Sequence, residues 1–391
     1  MTLAVATHDP RSVAETYVRQ HMRLIMPGNT VGIGLACSDE PANDLPFFCV
    51  RRSKRFPVRK LNTLSSFLRT GYSAGLSLGE EHRLAKFLRA HKVTALLAEF
   101  GTTGCALRLV AKREGIPIFV NFHGLDATVL GQRRTIRYAY RLLAQDAQRF
   151  FCGSRHFADV LVGIGIPHAK IDVVPCGIEL DQFTATSTKN ENQVIAIGRL
   201  TRKKRPDLAI RAFAVARQCK PDLKLDIIGD GPERGTCERT INQLGLKQSV
   251  TLVGAQSHAE VKKRLRKANI FVQHSVTAEN GDQESQGISL VEAMASGVPV
   301  VTTDHNGFSE TVSHGKTGLL SPEMDVEAMG QNLQRLASDP ALAREMGTNG
   351  RRHAETYYDA HRLARRLRDV IFSDVLSGTN EDRRIGLEAG A

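Results

Sequence analysis

Nowhere does the sequence gather the ~18 consecutive apolar residues that a membrane-spanning helix requires, so no span is expected in its 391 residues. The opening MTLAVATHDPRS has neither a basic start nor a long apolar core, and no secretory signal is expected from it. The seven cysteines (Cys37, Cys49, Cys105, Cys152, Cys176, Cys219 and Cys237) are scattered, odd in number and without a CxxC pair. That pattern predicts buried thiols in a reducing cytoplasm rather than disulfides or a zinc site. The basic clusters RRSKRFPVRK (51–60), RRTIRYAYR (133–141), RLTRKKRPDLAIR (199–211) and KKRLRK (262–267) come with no DNA- or RNA-binding motif. Nucleic acid is therefore not an expected partner, whereas phosphorylated ligands and anionic lipid headgroups are.

What is present is a soluble composition, 41% hydrophobic and 24% charged with a net charge of +12. The length favours two domains. Short apolar runs alternate with amphipathic helical stretches, which predicts parallel sheets in an α/β protein. Strands are expected at 30–36, 94–100, 116–124, 149–154 and 171–177, and a second series at 193–200, 223–231, 249–254, 269–275 and 298–304. The polar stretch ELDQFTATSTKNENQ (179–193) between the series has no apolar periodicity and reads as a linker. The expected layout is an N-terminal domain over 1–180, a linker over 181–193 and a C-terminal domain over 194–355. A helix over 356–376 and a frayed tail over 377–391 would complete it. Pro206 suits a first helical position, Asp339-Pro340 opens the helix ALAREM, and Gly347 is expected to end it.

Three stretches of the second series carry chemistry. In AIGRLTRKKRPDLAI, Arg199 follows a strand and Lys204 precedes a helix, a spacing that could bring both cations to one diphosphate. IIGDGPERG (227–235) has a GxG after a strand, but its third glycine is misplaced for a dinucleotide fingerprint; Gly231 would allow the turn to approach a base. ESQGISLVEAMASG (284–297) sets two carboxylates eight residues apart around Gly287. Gly287 permits close approach, and the N–H groups of Gly287, Ile288 and Ser289 would face phosphate oxygens at a helix start. Glu284 and Glu292 are poor neighbours for phosphate, so each is expected to accept hydrogen bonds from polyol hydroxyls on the same ligand. Together they imply a nucleotide-diphosphate sugar.

GRLTRKKRPDLAI, IIGDGP, SVTLVG, ESQGISLVEAMASGVPVVTTDHNGFSETV and HGKTGLLSP, in this order over roughly 194–325, resemble the C-terminal half of retaining GT-B glycosyltransferases of family 4. SVAETYVRQHMRLI (12–25) and NFHGLD (121–126) are similar to segments of the bacterial exopolysaccharide and lipopolysaccharide members. AEFG (98–101) stands where such members often carry HFG, so Glu99 is a departure, and the family's N-terminal glycine pair is missing.

The resemblance implies two doubly wound Rossmann-like domains facing each other across a cleft. It gives Arg199 and Lys204 the diphosphate leaving group and Glu284 the donor-sugar hydroxyls. Gly287, Ile288 and Ser289 would take sugar and phosphate, and Glu292 the ribose. His123 would reach the donor sugar and Asp126 would orient its loop. No DxD triplet occurs, so neither metal nor cofactor is expected, and the co-substrate would be a UDP-sugar before a GDP-sugar. The acceptor would be a glycan or a lipid-linked precursor at the cytoplasmic face of a membrane. A glycoside hydrolase would also pair carboxylates but has no need of the cations; a degenerate nucleotide-sugar-binding protein and a GT-B sugar epimerase are the other readings. Finally, Leu61, Leu64, Leu68 and Tyr72 follow the first basic cluster at helical spacing, a pattern suited to an anionic bilayer surface.

Overall fold

The computed structural model describes the backbone of residues 1–9, 16–37, 45–50, 56–185 and 189–388, with side chains throughout except at 56–62 and 377–388. The chain forms two compact units, Met1–Pro175 with the segment from Ala360 onward, and Cys176–Asp359.

Unit 1 is a seven-stranded sheet of β1 (Thr2–Thr7), β2 (Thr30–Gly34), β3 (Phe47–Cys49), β4 (Val93–Glu99), β5 (Ile118–Asn121), β6 (Arg149–Cys152) and β7 (Ile171–Val173), in the order β3-β2-β1-β4-β5-β6-β7. Unit 2 holds β8 (Gln193–Ile197), β9 (Lys224–Ile228), β10 (Val250–Gly254), β11 (Ile270–Gln273), β12 (Val300–Thr303) and β13 (Gly318–Ser321), in the order β10-β9-β8-β11-β12-β13. All pairings are parallel. Parallel strands covered by helices on both faces must be apolar on both faces, and β1 and β4 meet this with Leu3 to Ala6 and Ala95 to Ala98 fully buried. β1, β3 and β13 escape the sequence pattern: β3 and β13 have three and four residues, too few to show a period, and β1 has no turn signal before it.

The division between units falls ahead of the stretch expected to link them. Ile178 and Phe183 are buried in the core of unit 2, and the Arg351 guanidinium donates to the carbonyls of Leu180 and Phe183. Two apolar anchors inside an otherwise polar stretch make it part of that unit; residues 186–188 lie outside the described residues. The helix Pro340–Tyr357 does not end at Gly347. A Cβ there would stand 2.2 Å from the Gly297 carbonyl oxygen, so this glycine serves close helix packing. After Tyr358 and Asp359 the helix Ala360–Glu388 returns the chain to unit 1. It seats Leu363, Leu367 and Ile371 against Leu3, Val5, Val18 and Phe119, and Asp374 accepts from Arg149 at 2.8 Å. The stretch expected to fray from 377 is thus helical to Glu388, and 389–391 lie outside the described residues.

Cys37 and Cys49 form a disulfide, against the expectation of thiols alone. They are 12 residues apart in sequence, but β2 and β3 are paired with Gly34 opposite Cys49, so the register brings the two sulfurs together. The other five cysteines are free. The amphipathic stretch becomes the helix Phe56–Thr70, which exposes Leu64 (57%), Phe67 (38%) and Leu68 (75%). Tyr72 does not share that face; the chain turns at Gly71 (φ +70°) and Tyr72 packs on the core of unit 1. Residues 51–55 and the Leu61 side chain lie outside the described residues.

Candidate active site

In an open parallel sheet, ligands bind beyond the carboxyl ends of the strands where the strand order reverses. That point falls between β8 and β11 in unit 2 and between β1 and β4 in unit 1. Polar side chains gather at both.

After β8 the chain passes Gly198 and Arg199, makes a tight turn at Arg202–Lys204, and enters the helix Pro206–Cys219 through Arg205. Arg205 sits at φ +34°, in the left-handed region that L residues rarely occupy. Two hydrogen bonds of 2.9 and 2.8 Å to the buried Asp207 carboxylate hold it there. The kink turns two ammonium groups inward. Lys204 Nζ lies 3.3 Å and Lys203 Nζ 3.5 Å from the same oxygen of Glu284, and Lys203 also meets Asp282 at 3.1 Å. Arg199 is exposed and lines one narrow cavity with Gly198, Lys204, Gln273 and His274.

Burial would push the Glu284 carboxyl up, but Lys204 and Lys203 outweigh it and hold the group at about 2. Burial pushes the Lys204 ammonium down, with Lys203 and Arg199 adding to the fall and Glu284 opposing it. Lys203 moves up, because Glu284 and Asp282 overcome its burial. The site therefore carries a concentrated positive charge around one ionised carboxylate. Asp282, read from sequence as a solvated loop residue, is part of it.

The backbone of Glu284 is pinned as well: its N–H donates to His305 Nε2 at 3.2 Å, and His305 Nδ1 donates to Glu323 at 2.5 Å. Gln286 makes two hydrogen bonds with the backbone of Cys176, at 2.7 and 2.9 Å. Gly287 caps the helix Ile288–Ala295 at φ +78°, and a Cβ would lie 2.6 Å from Phe308 and 2.8 Å from Leu290. Only glycine fits both constraints. By position, the Ile288 and Ser289 N–H groups have no partner within the helix; the Ser289 hydroxyl donates to Gln273 at 2.8 Å. Glu292 is buried and lies 3.0 Å from His258 Nε2. Gly231 has a packing reason for its identity, since a Cβ would stand 2.4 Å from the Leu200 carbonyl oxygen. The turn after β9 thus lies directly on the loop that carries Arg199.

His274 was not anticipated. It is fully buried, burial lowers it to about 4, and its Nε2 accepts the Met324 N–H at 3.2 Å. Neither Lys203 nor His305 carries a sequence signal: three basic residues in a row do not show which ones the turn folds inward.

In unit 1, Glu99 ends β4 fully buried. One carboxylate oxygen lies 2.6 Å from His21 Nδ1 and the other 2.6 Å from His123 Nε2. Burial alone would raise the carboxyl; the two histidines bring it to about 2. Asp126 accepts from the backbone N–H of Gly101 (3.0 Å), His123 (3.2 Å) and Gly124 (3.0 Å), tying the loop after β5 to the end of β4. The departure noted at Glu99 is therefore a built feature, and its partner His21 had no signal of its own.

Two parallel α/β units with polar side chains at each switch point define a glycosyltransferase of the GT-B fold. The sequence matches the family Glycosyl transferases group 1 over residues 178–353 and Glycosyltransferase Family 4 over residues 43–182. It is 32% identical over 286 residues to an amylovoran biosynthesis glycosyltransferase of Erwinia amylovora, covering 70% of this chain and 69% of that protein. A GDP-mannose-dependent phosphatidylinositol monomannoside mannosyltransferase of Mycolicibacterium smegmatis is 30% identical, over 78% of this chain and 80% of its own. A putative colanic acid biosynthesis glycosyltransferase of Escherichia coli is 32% identical over 64% of this chain and 62% of its own. The structure of HepE from Anabaena, solved with UDP, superposes with a TM-score of 0.78 over 95% of this chain and all of that one, at 16% identity. The chain belongs to the group 1 glycosyltransferases of family 4, of the bacterial polysaccharide type.

Proposed function

We propose that the protein transfers a sugar, with retention of configuration, from a nucleotide-diphosphate sugar to a glycan or lipid-linked acceptor in cell-surface polysaccharide biosynthesis. The observation that carries this reading is Glu284 held between Lys203 and Lys204, beside Arg199 and the Gly287-capped helix, at the carboxyl ends of β8 and β11. Such a site can neutralise a departing diphosphate while keeping one ionised carboxylate for sugar hydroxyls. In the transfer, the bond from the sugar's anomeric carbon to phosphate oxygen breaks and the bond to the acceptor oxygen forms on the same face. The acceptor's proton passes to the departing phosphate. Arg199, Lys204 and the Ile288 and Ser289 N–H groups serve the phosphates, Glu284 the sugar, Glu292 the ribose, and His123 the sugar from unit 1. No metal enters this scheme.

UDP is the base of choice in this reading, supported by the UDP-bound HepE structure; relatives named for GDP-mannose make GDP the competing arm. The helix Phe56–Thr70, with Leu64, Phe67 and Leu68 exposed, supports peripheral binding at an anionic membrane surface on the cytoplasmic side. The Cys37–Cys49 disulfide does not favour that compartment. Among the described residues no helix is long and apolar enough to cross a membrane.

A thermal-shift screen of UDP, GDP and their sugars identifies the donor, because a ligand at 100 times its Kd stabilises the fold by ~2.7 kcal/mol. Nucleotide-diphosphate release that requires acceptor, with an axial or equatorial product bond matching the donor by NMR, supports the proposal. Free sugar formed without acceptor makes the protein a hydrolase, an altered donor sugar makes it an epimerase, and binding without turnover makes it a binding protein. Activity persists in EDTA; a strict need for added Mn²⁺ or Mg²⁺ overturns the metal-free scheme.

A further inference from the structure

His123 sits in a more elaborate setting than a ligand-contacting histidine needs. Its Nε2 lies 2.6 Å from Glu99, a carboxylate with no solvent exposure whose other oxygen is 2.6 Å from His21 Nδ1. A carboxylate that is ionised can only accept, so both facing nitrogens carry protons. Tyr17 lies against the His123 ring with centroids 4.3 Å apart and planes 33° apart, and Phe100 meets its edge at 4.9 Å. Phe100 adopts φ +78°, a strained conformation for a bulky L residue, and its N–H is held by the Asn121 carbonyl at 2.7 Å. The backbone N–H of His123 donates to Asp126. Ring face, ring edge, one ring nitrogen and the backbone are each fixed by a different element of unit 1.

We propose that Glu99 is a positioning residue: it fixes the tautomer and plane of the His123 ring, and His21 braces the carboxylate from its other side. With Nε2–H committed to Glu99, any hydrogen bond from the ring to a ligand goes through Nδ1. A purely structural ion pair predicts something different. Buried pairs of this kind are often replaceable by apolar groups at little cost, while losing one partner destabilises strongly. A positioning carboxylate, by contrast, acts on turnover and on the ring's protonation even in a folded variant.

The inference rests on the transferase reading for its kinetic arm only. Glu99→Gln keeps the shape but offers one acceptor oxygen where two are used. Its kcat should fall by about 10–100-fold, the range seen when a carboxylate supporting a working imidazole is lost, with the donor KM changed much less and the acidic limb of the pH–rate profile displaced. Glu99→Asp, too short to reach both rings, should give a partial loss in a protein of near-native Tm. Independently of turnover, ¹⁵N NMR of the imidazoles should show His123 protonated at Nε2 in the native protein and a mixture of tautomers in Glu99→Gln. An unchanged His123 tautomer in Glu99→Gln overturns the inference. So does a variant with native kcat and pH profile, or one whose activity loss follows its Tm alone. If the native protein transfers no sugar but the tautomer changes as stated, the transferase reading fails and the positioning role stands.

Discussion

At Glu284 two ammonium groups meet one carboxylate oxygen, and Glu99 is similarly flanked by two imidazoles. Both carboxyls are held at about 2 against 4.5 for a free glutamate, so the folded protein binds fewer protons than the unfolded chain across that interval. Their stabilisation is complete above pH 4.5 and drains away as pH falls toward 2. Urea titrations across that range should therefore show a steep loss of stability, and Glu284→Gln should flatten part of the slope. The same variant should keep its affinity for nucleotide diphosphate while transfer falls by about 100-fold or more, as when one donor to a developing charge is removed. Equal loss of affinity for nucleotide diphosphate and nucleotide-sugar would sink the assignment of Glu284 to the sugar. Arg199→Ala and Lys204→Ala should weaken both binding and turnover, since negative charge on the leaving group grows in the transition state. Arg199, Lys204 and Glu284 were legible because their residue types and their places after strands fit one ligand. Lys203 was not, because the left-handed Arg205 decides which ammonium groups point inward and nothing in RKKR announces that conformation.

Short glycine contacts set the tolerances between helices and loops. Gly347→Ala would drive a methyl into the Gly297 carbonyl oxygen, 2.2 Å away, and backbone has little room to yield. A loss of about 1–3 kcal/mol is expected, read from the denaturant midpoint with the slope unchanged. Gly287→Ala combines a positive φ with side-chain overlap at Phe308 and Leu290, so donor affinity should fall together with stability. Every strand in the interior of the two sheets except β1 was visible as a bounded apolar run. The disulfide was not: Cys37 and Cys49 become neighbours only through the register of β2 on β3, which sequence spacing does not encode. Gly347 misled for a related reason. A glycine that allows close packing and a glycine that ends a helix look alike until the facing backbone is known.

For the whole molecule, the net charge of +12 and the exposed Leu64, Phe67 and Leu68 make a joint prediction. The protein should sediment with anionic vesicles at low salt and release at high salt, where screening shortens the reach of each cation. Failure to bind even at low salt would leave a soluble acceptor. The two units also differ in how the chain makes them. Unit 2 is one uninterrupted segment, Cys176–Asp359, whereas unit 1 closes its apolar surface over Leu3, Val5 and Val18 only with Leu363, Leu367 and Ile371. Removing the chain from Ala360 onward should leave unit 2 resistant to limited proteolysis and open unit 1 to cleavage. The order of events on the ribosome follows from the same threading. The half synthesised second has every residue of its core before the half synthesised first has its own, so the amino-terminal sheet must wait, with part of its hydrophobic face uncovered, until the final helix clears the exit tunnel. Stalled nascent chains ending near Asp359 should show a protected carboxyl-terminal unit joined to an amino-terminal half that chaperones still bind.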